Sequence, residues 1–246
     1  MAKDGKRHIV AGGGLFRDNG AGAWQVGPLV DYVLDLTGKD EPRVCMLNTA
    51  VGDDARYYTA MYVAFAESPA RVSHLALFPM PNVLDPRGFL LGQDAVLVGG
   101  GSVANEVAVW RAHGLDTVLR EAWERGVVLS GVSAGAICWF EAGTTDSFGR
   151  DLRPFTDGLG LLAGSYCPHY DSEERRRPTF HRLVASGEIP PGYAADDGVA
   201  MHFVDTELLE IVTDRSDAHA WRVDRDAAGG AVETKLEPRR LPEGTG

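Results

Sequence analysis

Residues 127–140 read VVLSGVSAGAICWF, and no other stretch restricts the architecture as tightly. An apolar run leads into Gly131-Val132-Ser133-Ala134-Gly135 and continues as an apolar, alanine-rich segment. This is the pattern of a strand feeding a helix through a sharp turn with serine at its apex, a nucleophile elbow. Such a turn needs backbone angles and a close strand–helix approach that a Cβ obstructs, hence the flanking glycines. At the apex Ser133 projects from the strand end, and the first N–H groups of the helix face any oxyanion formed beside it. In a chain with 30 glycines a lone G-x-S-x-G is also compatible with an ordinary strand–helix turn. A base and an acid must therefore be found elsewhere.

The rest of the chain supplies a frame for that elbow. Arg7 to Gly13 reads as a buried first strand ending in the tight turn Gly12-Gly13-Gly14, whose spacing is not G-x-G-x-x-G and calls for no dinucleotide. Val26, Leu29, Val30, Val33 and Leu34 recur at helical spacing, with Gly38 as the stop. Arg43 to Leu47 is the next strand, and Asp53-Asp54 caps a helix through Tyr57, Met61 and Phe65. Arg71 to Phe78 and Asp94 to Val98 read as further strands, the second ending in Gly99-Gly100-Gly101-Ser102. Pro79, Pro81 and Pro86 interrupt the stretch between them, and Leu115, Val118, Leu119 and Ala122 mark a helix before the elbow. Strands alternating with helices predict an open, mostly parallel sheet with helices on both faces. Ligands of such sheets bind at the carboxyl ends of strands, where the triple glycine and Ser133 both fall.

After Phe140 the texture changes. Asp146 to Pro154 is loop-like, Arg175 to Ser186 helical, Val199 to Arg215 strand-rich edge material, and the tail from Asp224 a hairpin and a frayed end. There is no repeat or linker, so residues 1–246 are expected to form one domain. With 44% hydrophobic and 24% charged residues the composition is that of a soluble globular protein. A net charge of −11 argues against nucleic acid or an anionic membrane as partner. Without an apolar leader or spanning segment, the expected location is the cytoplasm. Cys45, Cys138 and Cys167 lack C-x-x-C spacing, so neither disulfides nor zinc are expected, and no metal or cofactor is required.

A serine hydroxyl becomes nucleophilic when a base takes its proton and a third group orients the base. His169, His181, His202 and His219 lie downstream, and His169 follows Pro168, which stops regular structure and presents the next side chain from a loop. For the acid, Asp146, Asp171, Asp196, Asp197 and Asp205 are available; Asp196-Asp197-Gly198 forms a turn between apolar segments. Oxyanion donors would be the N–H groups of Ala134 and of the Gly99–Gly101 loop, Gly100 foremost.

Taken together, LVGGGS-x-x-N (Leu97 to Asn105), GVSAGA (Gly131 to Ala136), CPHY (Cys167 to Tyr170) and AADDG (Ala194 to Gly198) resemble peptidase family S51. That family includes peptidase E, an aspartyl dipeptidase, and cyanophycinase. The resemblance implies a three-layer fold similar to class I glutamine amidotransferases, with Ser133 as nucleophile and His169 as base. The family's acid, usually glutamate before glycine, falls on Asp197, with Asp196 its rival. A short peptide is the implied substrate, with dipeptides carrying an N-terminal Asp as the finer expectation, and a monomer or homodimer is expected. Peptidase E-like enzymes read an N-terminal aspartate with an arginine beyond the histidine segment; Arg175, Arg176 and Arg177 occupy that region and equally suit a solvated helix end. Gly99, Gly101, Asn105 and Tyr170 complete the implied substrate contacts. Two other readings stand beside this one. An α/β-hydrolase esterase would take His202 or His219 as base. A non-catalytic module would use the cleft for an amino acid or peptide.

Overall fold

The computed structural model describes residue 2, residues 4–18 and residues 23–242. The first half comprises β1 (His8–Gly12), β2 (Arg17–Asp18), β3 (Trp24–Gln25), α1 (Pro28–Asp35), β4 (Arg43–Leu47), α2 (Ala55–Ala64) and β5 (Arg71–His74). It continues through α3 (Pro86–Leu91), β6 (Ala95–Val98), α4 (Val103–His113), α5 (Leu115–Glu124) and β7 (Val128–Val132). The second half opens with α6 (Ala134–Ile137), β8 (Phe140–Thr145), β9 (Arg153–Phe155), β10 (Leu162–Cys167) and α7 (Arg176–Ser186). The remaining strands are β11 (Gly192–Ala195), β12 (Val199–Val204), β13 (Glu207–Thr213), β14 (Ala220–Arg225), β15 (Ala231–Leu236) and β16 (Arg239–Arg240).

The central sheet has the order β16-β13-β12-β1-β7-β6-β4-β5. From β1 to β5 every neighbouring pair is parallel. Its strands are covered on both sides, because successive residues enter different cores. Ile9, Cys45, Val96 and Leu129 pack with Trp110, Leu115 and Leu119 of α4 and α5. Val10, Val44, Leu97 and Val128 pack with Leu29, Val30 and Val33 of α1. A continuous apolar run satisfies both faces of such a strand at once.

Local chemistry sets the element ends as expected in several places. Asp54 accepts from Arg56 N at 2.9 Å and starts α2, and Gly38 adopts φ 64° beyond α1. Pro86, read as a breaker, instead begins α3, where a missing N–H costs nothing. The strand predicted to reach Phe78 stops at His74, because Leu77 N and Phe78 N donate to Asp53 Oδ2 instead of to a neighbouring strand. Helix α4 is not legible in the sequence because its buried face, Val103, Glu106, Val107 and Trp110, carries a glutamate in the middle of the apolar stripe.

Two expectations for the second half need correction. β12 is not an edge strand: it pairs with both β1 and β13, and its VAMHFV run is buried almost throughout, as suits an interior strand. The molecule also has a second sheet, β15-β14-β11-β10-β8-β9, of which the sequence pattern predicts only the C-terminal hairpin. Phe140 and Tyr166 of that sheet stack at 5.1 Å, and Phe140 meets Phe203 of β12 edge-on at 5.6 Å, so one core joins the two sheets. The expected hairpin is β14–β15; instead of fraying directly after it the chain adds β16 to the central sheet, and residues 243–246 lie outside the described residues. Among the described residues no helix is long and apolar enough to cross a membrane.

β12 also carries a buried histidine with a measurable consequence. His202 Nε2 lies 2.8 Å from His8 Nδ1, and His202 Nδ1 lies 2.6 Å from the Tyr32 hydroxyl. Burial, reinforced by the His8 charge, pulls the His202 pKa down to about 4. Folding therefore opposes its protonation, so its contribution is complete above the ordinary value of about 6.5 and is lost as pH falls toward 4. Between pH 7 and 4.5 wild type should lose about 2–3 kcal/mol more unfolding free energy than His202→Asn, as urea titrations at the two pH values would show. Equal pH dependence in the two proteins would sink this assignment.

Candidate active site

A sharp turn at Ser133 carries β7 into α6. Ser133 has φ 53° and ψ −115°, a sparsely populated region for a residue with a side chain. Its N–H donates to Gly12 O at 3.1 Å, which ties the turn to β1. A Cβ on Gly131 would meet Gly135 O at 1.9 Å, and one on Gly135 would meet Val98 O at 2.6 Å. Both glycines are thus demanded by backbone-to-backbone approach. The neighbouring loop is equally close: a Cβ on Gly100 would lie 3.0 Å from Ser133 Cβ.

His169 leaves β10 two residues after its end and adopts φ 57°. Its Nε2 lies 2.9 Å from Ser133 Oγ, and its Nδ1 lies 2.7 Å from Asp197 Oδ1. An ionised Asp197 can only accept, so Nδ1 carries the hydrogen and Nε2 is left to accept from the serine hydroxyl. Burial pushes the Asp197 pKa up, but hydrogen bonds from His169 and Ser172, and the charge of Arg215, outweigh it and hold the carboxyl below its ordinary value.

The Asp197 backbone is clamped as well. Asp171 Oδ1 accepts from Asp197 N at 2.9 Å, Asp171 Oδ2 accepts from Arg215 at 2.9 Å, and the same Arg215 nitrogen donates to Asp197 O at 2.9 Å. Asp171 is one of the five candidate acids; Arg215 is not among the sequence candidates, and nothing in its local sequence marks it. Asp196 turns the other way. Its Oδ2 accepts from His219 N at 2.8 Å, and desolvation raises its pKa.

The other histidines are engaged elsewhere: His202 with His8 and Tyr32, His181 with Glu233 at 2.9 Å, and His219 within 3.8 Å of Asp196. Asp146 lies 3.9 Å from Arg176, and Asp205 accepts from Arg7 at 2.6 Å.

Beside Ser133 opens a cleft of about 340 Å³. Gly99, Gly100 and Gly101 line it together with Ser133 and His169, and its walls are Leu15, Phe16, Trp24, Val51, Tyr57 and Met61. The remaining residues implied by resemblance fall elsewhere. Asn105 is exposed in the first turn of α4, where its N–H bonds Ser102 Oγ. Tyr170 is buried with its hydroxyl on Glu233 at 2.6 Å. Arg175 meets Asp151 and the Arg150 carbonyl in a separate depression. Arg176 is buried, bonding Glu173 and Thr144 O at 2.7 Å each, and Arg177 pairs with Glu233 and lies over Trp221. None of the three arginines lines the Ser133 cleft. Sequence reasoning misses the aromatic wall, since Phe16, Trp24 and Tyr57 are far apart in the chain and carry no shared motif. Cys45, Cys138 and Cys167 are buried free thiols.

A sequence model described as "Peptidase family S51" matches residues 9–211. The "Uncharacterized peptidase YgaJ" of Bacillus subtilis (strain 168) is 45% identical over 223 residues, covering 89% of this chain and 92% of that protein. A crystal structure of a peptidase from an acI-B1 Actinobacterium superposes with a TM-score of 0.69 over 95% of both chains, at 14% identity, and so speaks to the fold. The "Imidazole glycerol phosphate synthase subunit HisH" of Dehalococcoides mccartyi (strain CBDB1) is 28% identical over 138 residues, 56% of this chain and 64% of that one. The layered sheet is therefore similar to both the S51 fold and the class I glutamine amidotransferase fold.

Proposed function

The chain belongs to peptidase family S51, and we propose that it is a serine peptidase that hydrolyses short peptides through an acyl-enzyme. The observation that carries this reading is the unbroken run of hydrogen bonds from Ser133 through His169 to Asp197, at 2.9 and 2.7 Å. As Ser133 Oγ attacks the scissile carbonyl, His169 Nε2 takes the hydroxyl proton. Asp197 holds the imidazole tautomer and stabilises the imidazolium. The oxyanion is received by the Ala134 N–H, which the first turn of α6 leaves unpaired, and by the Gly100 N–H. His169 then protonates the departing amine, and the same base activates water to release the acyl group.

A fluorophosphonate reagent tests the nucleophile directly. Peptide mapping should find Ser133 as the modified residue, with the reaction slowed at least ~10³-fold in His169→Ala. Wild-type protein that stays unmodified would remove the acyl-enzyme reading and favour a module that only binds. The acid is tested separately. Asp197→Asn should lower kcat/KM by roughly 10³–10⁴-fold, because the amide selects the wrong tautomer. Asp196→Asn, whose carboxylate faces His219 N, should change it by less than about 10-fold. The reverse ranking would transfer the role to Asp196.

A further inference from the structure

We propose that the Ser133 cleft selects a neutral, apolar side chain on the residue whose carbonyl is attacked, and rejects aspartate there. This rests on the serine-peptidase reading above and concerns its substrate. The side is assigned by the chemistry. The attacked carbonyl must lie between Ser133 Oγ and Gly100, and Ser133 and Gly99–Gly101 line this cleft and not the depression beyond His169, so the acyl residue is assigned to the cleft. The departing amine must reach His169, where a second depression of about 430 Å³ begins, lined by Arg17, Asp197 and Arg215. The acyl residue therefore faces the wall of Phe16, Trp24, Val51, Tyr57 and Met61.

That wall is built to be covered. Phe16 stacks on Trp24 at 5.8 Å, and Trp24 meets Tyr57 at 5.8 Å, yet Trp24 and Tyr57 remain 36% and 37% exposed. Grouped aromatics left in water beside a nucleophile are apolar surface awaiting a ligand.

Among the described residues, no cation offsets a carboxylate in this cleft. His169 is the one titratable nitrogen base among its described lining residues, and that ring is committed to Ser133 and Asp197. The nearby arginines are spoken for: Arg17 by Asp214 at 2.7 Å, Arg56 by Asp54 at 2.6 Å, and Arg215 by Asp171 and Asp217. An aspartate entering the cleft would lose hydration against carbon and gain no charged partner, whereas leucine or phenylalanine gains by covering the aromatics.

The test uses the full chain and four dipeptides, Leu-Ala, Phe-Ala, Gly-Ala and Asp-Ala. kcat/KM for Leu-Ala and Phe-Ala should exceed that for Asp-Ala by about 100-fold or more. Protection of Ser133 from the fluorophosphonate by the same dipeptides gives the ranking independently of turnover, and the apolar members should protect at the lower concentrations. Trp24→Ala and Tyr57→Ala should bring the Phe-Ala to Gly-Ala ratio toward one. Asp-Ala turned over, or protecting, as well as Leu-Ala overturns the proposal while leaving the peptidase reading intact. A Ser133 that never reacts with the reagent removes both.

Discussion

Replacement of Ser133 by alanine is expected to lower kcat/KM on any peptide the protein cleaves by roughly 10⁴–10⁶-fold, with the fold unchanged. The size follows from the geometry. On the acyl-enzyme proposal, removing Oγ deletes the atom that would bond the acyl group, and the 2.9 Å contact with His169 Nε2 goes with it. His169→Ala should cost nearly as much, and the double variant little more than either single one, because residues that act as a unit are strongly non-additive. Ser133 is otherwise placed so that losing its hydroxyl is structurally cheap: the turn is held by its N–H on Gly12 O and by the carbonyl it offers to Ala136 and Ile137. Steady-state kinetics beside circular dichroism would decide the matter. A Ser133→Ala protein that retains even a tenth of wild-type turnover excludes the acyl-enzyme.

The second large effect is on folding. Gly131→Ala should destabilise by more than about 4 kcal/mol and leave little soluble, native protein. Its new methyl would sit 1.9 Å from Gly135 O and 2.4 Å from the carbon bearing it. Both obstacles are backbone, so no rotamer change relieves the contact. β7 and α6 would have to separate, and with them Ser133 and the Gly100 loop. Gly14→Ala is the natural control, since its methyl would meet nothing closer than Gly198 N at 3.9 Å. Urea unfolding should show that variant close to wild type. A Gly131→Ala protein with a wild-type midpoint would mean that the strand–helix approach is looser than these distances imply.

Much of this architecture is legible in the amino-acid sequence. The parallel sheet is readable because strands buried on both faces are continuous apolar runs, as in AVLV of β6 and VVL running into β7. The turn at Ser133 is readable because steric demand at Gly131 and Gly135 is local. The second sheet is harder. Its strands are short, as in β9 and β11, and the Gly and Pro residues scattered among them read as loop. α4 is hidden by a charged residue on its buried face. The aromatic wall of the Ser133 cleft is least legible of all, because Trp24 and Tyr57 come together only when β3 and α2 lie beside Ser133.

By itself, then, the sequence determined the features whose physics acts over a few residues: the strained serine turn, the histidine presented after a proline, the glycine loop at a strand end and the alternation of strands with helices. Only the tertiary structure decided which of two adjacent carboxylates meets His169. The antiparallel pairing of β11 with β14 sets Ala195 opposite Ala220, which brings Asp196 to His219 N and leaves the next side chain, Asp197, to meet His169. It also decided that Arg175, Arg176 and Arg177 are consumed by carboxylates and carbonyls away from the cleft. Such choices turn on register and on partners distant in the chain, and a local pattern carries no information about either.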